Sequence, residues 1–121
     1  MSIRRVVPII VSGNIEATKR FYLEFLGFHL VMDMDWIITF ASPSNPTAQI
    51  NVVVNQEKIV DHDQAITIEV DDVDQLYEKA LEMKLDITKN INDEPWGARR
   101  FFVKDPNGVI INVMNHSDEN P

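Results

Sequence analysis

The sequence has no cysteine, few glycines and little positive charge. Without cysteine there are no disulfides, thiolate metal sites, iron–sulfur clusters or cysteine nucleophile. The four glycines form no phosphate-cradling pattern, which argues against a nucleotide loop. Lys and Arg number 11 against 19 Asp and Glu, a net charge of −8. A surface this acidic repels nucleic acid and anionic membranes. The expected partners are therefore small molecules, cationic or neutral, and other proteins. No apolar run is long enough for a membrane helix, and the first, Val6 to Val11, lacks the body and cleavage site of a signal peptide. A cytoplasmic location is the default. What is present, 45% hydrophobic and 25% charged residues over 121 positions, is the composition of one ordinary globular domain.

Val6 to Val11 is dominated by β-branched residues and reads as a buried strand. Asn14 can cap the following helix, with Glu16 in its first turn. Ile15, Thr18, Phe21, Tyr22, Phe25 and Leu26 make one apolar stripe at helical spacing, and Gly27 ends it. Phe28 to Met32, Trp36 to Ala41 and Gln49 to Val54 read as strands, with the proline-containing loop Ser42 to Pro46 between the last two. The charged stretch from Gln56 to Asp63 reads as a linker. The pattern then restarts. Ala65 to Val70 is a strand, and Asp72 caps a helix striped by Val73, Leu76, Tyr77, Ala80 and Leu81. Leu85 to Thr88 is a short strand and Asn90 to Trp96 a polar loop. Arg99 to Lys104 and Val109 to Met114 are strands joined by the turn Asp105-Pro106-Asn107-Gly108, with Pro setting φ and Asn-Gly supplying positive φ. Asn115 to Pro121 is a mobile tail. The order is βαβββ, linker, βαβββ, with the second cap 58 residues after the first.

Three segments resemble the glyoxalase / bleomycin resistance / extradiol dioxygenase superfamily, also called vicinal oxygen chelate. They are Ser12 to Tyr22 continuing to Phe25-Leu26-Gly27-Phe28, then Ile68-Glu69-Val70-Asp71-Asp72-Val73, then Trp96-Gly97 followed by Asp105-Pro106-Asn107-Gly108. The last turn is the most specific, and Trp-Gly ahead of it looks most like the bleomycin resistance branch. The resemblance implies an α+β fold, with two tandem βαβββ modules forming a curled mixed-sheet cup. A single domain would span 1–121, with module one at about 5–55, a linker at about 56–63 and module two at about 64–115.

In the family's metal enzymes, four side chains on the first and last strands of the modules bind a divalent ion. The resemblance carries those positions onto Val7, Asn51, Ala65 and Asn112. Val and Ala cannot ligate, and an Asn oxygen is a weak, uncharged ligand, so no metal or other cofactor is expected. The histidines do not replace them: His29 lies beside the first helix end, His62 in the linker and His116 in the tail. Asp61-His62-Asp63 reads as a solvated linker. No nucleophile–base arrangement is visible, so no catalytic residue is assigned.

Strand alternation names the lining of the cup. One face carries Val7, Ile9 and Val11; Gln49, Asn51 and Val53; Ala65, Thr67 and Glu69; and Ile110, Asn112 and Met114. The helix-facing sets (Ile50, Val52, Val54; Ile66, Ile68, Val70; Ile111, Val113) are uniformly apolar. A mixed inner face fits a ligand pocket or a wet, open cleft. Trp36 and Trp96 are candidate aromatic walls, although Trp36 suits packing at a subunit interface equally well. Arg99 and Arg100 point to opposite faces, and either could enter the cup and pair with Glu69. If Glu69 were unpaired, a cationic ligand would be favoured. The expected ligand-binding set is Trp36, Gln49, Asn51, Thr67, Glu69, Trp96, Phe101 and Asn112. The resemblance implies a metal-independent binding protein that, like bleomycin resistance proteins, sequesters a cationic or aromatic small molecule in a cleft between the chains of a homodimer. The alternatives are a vicinal oxygen chelate enzyme (a metal-dependent lyase or dioxygenase, or a metal-free isomerase with Glu69 as base) and a dimeric partner of another protein.

Overall fold

The run Gln-Ile-Asn-Val-Val-Val alternates in burial and is rich in β-branched residues, which fit a pleated, half-buried surface; it becomes an inner strand of the first sheet. The computed structural model describes residues 1–56 and 64–116. Asp61-His62-Asp63 and residues 117–121 lie outside the described residues. The chain divides into two units, Met1–Val60 and Asp61–Pro121.

The first unit holds β1 (Ile9–Ser12), α1 (Ile15–Lys19), a π-helical continuation of α1 (Arg20–Phe25), β2 (His29–Asp33), β3 (Ile37–Ala41) and β4 (Gln49–Val54). Its sheet order is β1-β4-β3-β2. β1 runs parallel to β4, and the other two pairs are antiparallel. The second unit repeats the plan with β5 (Ala65–Glu69), α2 (Val73–Glu82), β6 (Asp86–Asp93), β7 (Ala98–Lys104) and β8 (Ile110–His116), in the order β5-β8-β7-β6. Again the first strand is parallel to the last and the rest are antiparallel. This is the α+β, tandem βαβββ arrangement that the sequence pattern predicts.

Both helix starts are capped as expected. The Asn14 side chain accepts from Ala17 N–H at 3.2 Å, and that of Asp72 accepts from Gln75 N–H at 3.0 Å. In the first unit Tyr22 stacks on Phe40 of β3, with ring centres 5.5 Å apart. In the second, α2 packs on β6, β7 and β8, and Tyr77 meets Phe101 edge-on at 5.0 Å. Ile50, Val52, Ile111 and Val113 are buried, as alternation predicts.

Five local expectations need correction. β1 starts at Ile9 rather than Val6, because Pro8 has no N–H to give a ladder; its carbonyl instead accepts from Asn51 N–H at 3.0 Å. The first helix is not uniformly α: after Lys19 it widens to π geometry, and Leu26 N–H reaches Phe21 C=O at 3.1 Å, a five-residue step. This widened turn buries Phe21, Tyr22 and Phe25 together. β6 extends to Asp93 through residues read as a polar loop. It is an edge strand with irregular register, where polar side chains can face water. β8 continues to His116, so Asn115 and His116 are strand residues, not tail. In the β7–β8 turn Gly108 alone takes positive φ (86°), and Asn107 does not. That turn is held by buried Asp105, whose Oδ1 accepts from the N–H groups of Asn107 (2.8 Å) and Val109 (2.9 Å).

Candidate functional site

In the second unit β8 pairs with two neighbours. Asn112 lies opposite Thr67 on β5 and Phe102 on β7, and Met114 lies opposite Glu69 and Arg100. Cross-strand partners share a face, so Thr67, Glu69, Arg100, Phe102 and Asn112 stand on the face away from α2. Arg99 and Phe101 stand on the α2 face. Phe101 is 0% exposed and packs against Tyr77. Its placement among the ligand-binding residues is therefore corrected: alternation along β7 puts its neighbour Phe102 beside Asn112 instead.

The face is built around Arg100. Its guanidinium carbon lies 5.0 Å from the centre of the Trp96 ring and 4.8 Å from that of Phe102, a cation flanked by two aromatic rings. Arg100 Nη2 is 3.6 Å from Glu94 Oε2. Glu94 Oε1 accepts from Asn92 Nδ2 at 2.7 Å and lies 3.6 Å from Lys89 Nζ. Arg100 Nε is buried with no hydrogen-bond partner. Asn112 Nδ2 donates to Thr67 Oγ1 at 3.2 Å, while Asn112 Oδ1 is also buried without a partner. Buried polar atoms in this condition are uncommon and call for an explanation.

Glu69 pairs with neither arginine. Its Oε2 lies 2.8 Å from His116 Nδ1, at an open cleft of about 450 Å3 lined by Glu69, Val70, Asp71, Asn115 and His116. The premise of an unpaired Glu69 is thus removed by a residue that the sequence pattern had assigned to the tail. Arg99 is committed elsewhere. It grips Asp74 of α2 through Nη2 (2.8 Å) and Nε (3.1 Å), and its Nη1 is 3.2 Å from Asp93. This guanidinium holds the Asp74 carboxyl below its ordinary value, and the Asp74 and Asp93 carboxylates raise Arg99 further.

In the first unit Thr39, Gln49 and Asn51 share the face carrying Ile9. Asn51 Oδ1 accepts from Thr39 Oγ1 at 2.6 Å. Gln49 Oε1 accepts from Arg5 at 2.6 Å, and its Nε2 donates to Pro46 C=O at 2.8 Å. Trp36 precedes β3 and is 60% exposed. Leu30, Val31, Met32 and Met34 are exposed beside it in sequence.

The four positions implied for a metal are equivalent in the two units. Val7 lies two residues before Ile9, the register partner of Asn51, and Ala65 lies two before Thr67, the partner of Asn112. Val7 and Ala65 carry no donor atom, and the Asn51 oxygen is engaged by Thr39. Among the described residues no three His, Asp or Glu side chains are grouped to hold an ion. This donor set does not fit a divalent metal.

A family model described as the Glyoxalase/Bleomycin resistance protein/Dioxygenase superfamily matches residues 2–113. The chain belongs to this superfamily. No curated protein matches it. Among solved structures it is similar to a superfamily member from Sphaerobacter thermophilus (22% identity, TM-score 0.78, covering 95% of this chain and 98% of that one). It is also similar to a bleomycin resistance determinant encoded on the transposon Tn5 (16%, 0.76, 94% and 98%). A third is a bleomycin-binding protein from Streptomyces verticillus, complexed with copper(II)-bleomycin (20%, 0.70, 93% and 96%). At these identities the likeness is one of fold. Among the described residues, no helix is long and apolar enough to cross a membrane.

Within this superfamily chain, the residues that sequence reasoning missed are Phe102, Glu94 and His116, and it left Arg99 and Arg100 unresolved. The hairpin could have supplied Phe102 and Arg100. The Asp-Pro-Asn-Gly turn pairs Lys104 with Ile110, and counting outward from there sets Phe102 against Asn112 and Arg100 against Met114. Glu94 had no such signal, because its environment depends on the irregular register between β6 and β7.

Proposed function

We propose that this superfamily member is a metal-independent small-molecule binding protein. It would sequester a planar aromatic ligand on the sheet face that carries Trp96, Arg100, Phe102 and Asn112. The observation that carries this reading is a guanidinium flanked by two aromatic rings beside buried hydrogen-bonding atoms without partners. Two of the positions that the resemblance implies for the family's ion are Val7 and Ala65, which carry no donor atom. The expectation of a cationic ligand loses its support, since Glu69 is occupied by His116 and the face already presents Arg100. A homodimer remains part of the proposal: the exposed run Leu30, Val31, Met32, Met34 and Trp36 is an apolar surface of the kind that pairs chains. Sedimentation of a Val31→Asp variant tests it, with a dimer expected for the parent and a monomer for the variant.

The test of binding is a thermal-shift screen in excess EDTA with planar polyaromatic compounds and, separately, metal-free bleomycin. At least one compound should stabilise the protein, and Trp96→Ala should abolish the shift. Stabilisation that appears only when a divalent ion is added, or by no compound, overturns the reading. A second reading, a metal-free isomerase with Glu69 as base, is favoured by one observation, the 2.8 Å Glu69–His116 contact at an open cleft. It requires a turnover that Glu69→Gln removes while ligand binding persists.

A further inference from the structure

The two atoms without partners on the β7–β8 face form a complementary pair. Arg100 Nε–H is a donor and Asn112 Oδ1 an acceptor. They belong to diagonal neighbours, because Phe102 lies opposite Asn112 and Arg100 is two residues from Phe102 on the same face. The backbones of diagonal neighbours on a sheet lie about 7–8 Å apart, so both side chains can reach one bound group. The charged groups around them already face one another. Arg100 Nη2 and Lys89 Nζ face Glu94, and Glu69 faces His116.

A carboxylate placed there would satisfy Nε but set an anion against Asn112 Oδ1. An ammonium would satisfy Oδ1 but set a cation against the guanidinium. Either would lose hydration and still leave one of the two buried atoms without a hydrogen bond. An amide edge offers an acceptor and a donor side by side, carries no charge and is flat enough to lie along the Trp96 and Phe102 rings.

We infer that this face selects an uncharged planar ligand through an amide edge, carboxamide or lactam, with Arg100 Nε donating to its carbonyl and Asn112 Oδ1 accepting from its N–H. The inference rests on the binding function proposed above and names the ligand chemistry of that same face.

The test is a proton–nitrogen NMR titration of the full chain with four probes: benzamide, 2-pyridone, benzoate and benzylammonium. The two amide probes should shift the Arg100 Nε–H and Asn112 Nδ2 signals. Each should bind roughly tenfold more tightly than either charged probe, the scale set by one unsatisfied buried group. The relative strength of benzamide and 2-pyridone tells an open carboxamide from a lactam. Arg100→Lys keeps the charge and removes Nε, and Asn112→Leu keeps the size and removes the acceptor. Each should weaken the amide probes roughly tenfold while the backbone spectrum stays dispersed. Charged probes that bind as well through the same signals, or an Arg100→Lys variant with unchanged amide affinity, overturn the inference and leave ligand binding intact. If no probe moves these signals the inference also fails, and ligand binding is then decided separately by the EDTA screen.

Discussion

Phe101 and Phe102 are chemically identical neighbours on β7 that stand on opposite faces of the sheet. Phe101 is fully buried under α2 against Tyr77. Truncating it to Ala removes a whole ring from a packed core, at a cost of about 3–5 kcal/mol. At this chain length 1 kcal/mol corresponds to about 3–5 °C in midpoint, so Phe101→Ala should melt roughly 10–25 °C below the parent. Phe102 is half-buried on the other face, its ring 4.8 Å from the Arg100 guanidinium. Losing that contact and part of its apolar burial costs about 1–2 kcal/mol, or roughly 5 °C. Circular dichroism melts of the two variants, followed by the thermal-shift screen on each, separate the roles. Phe101→Ala should lose stability far more than Phe102→Ala, and Phe102→Ala should lose ligand response while remaining folded. Equal destabilisation, or the larger loss at Phe102, refutes the register on which the candidate face is built.

Three further outcomes follow from the same geometry. Asp105→Ala strips two buried N–H groups of their acceptor and should cost about 3 kcal/mol in urea unfolding, while Asp105→Asn, which keeps an oxygen there, should cost less than half of that. Asp72→Ala removes the α2 cap and should cost about 1 kcal/mol. The Asp74 carboxyl is held below its ordinary value of 3.8 by Arg99, so the Asp74–Arg99 pair stabilises the fold above that value and loses its effect as pH falls through the lower folded value. A pH series of melts should therefore show Asp74→Asn below the parent at pH about 7 and converging with it in acid, below the ordinary carboxyl value of 3.8. Divergence that grows in acid contradicts the pairing.

The repeat, both caps, the inner strands and the strong β7–β8 turn were legible because each is a local signal: alternation, a capping side chain, or a proline–glycine turn. Pro8 was equally local, and its missing N–H explains why β1 starts late. The π-helical turn at Arg20–Phe25 could not be read from spacing, because the apolar stripe of an α-helix and of a slightly widened one coincide over two turns. β6 escaped because Lys89, Asn90 and Asn92 look like loop residues, and only an edge position makes them tolerable in a strand. At the candidate face, the parity of Thr67, Glu69 and Asn112 followed from alternation, as did that of Asn51 on its own sheet in the first unit. The pairing of Glu69 with His116, and of Glu94 with Arg100, Lys89 and Asn92, arises between strands and has no local signature.

The proposed function is independent of metal, with Asn112, one of the positions that the resemblance implies for an ion, bonded to Thr67 instead. The most direct test is equilibrium dialysis of the full chain, purified without chelator, against micromolar Zn2+, Ni2+, Mn2+ and Fe2+, with elemental analysis of the retained ion. Well under one ion per two chains is expected for every metal, with no change on Asn112→Leu. One ion retained per chain or per pair of chains, and lost in Asn112→Leu, would contradict it.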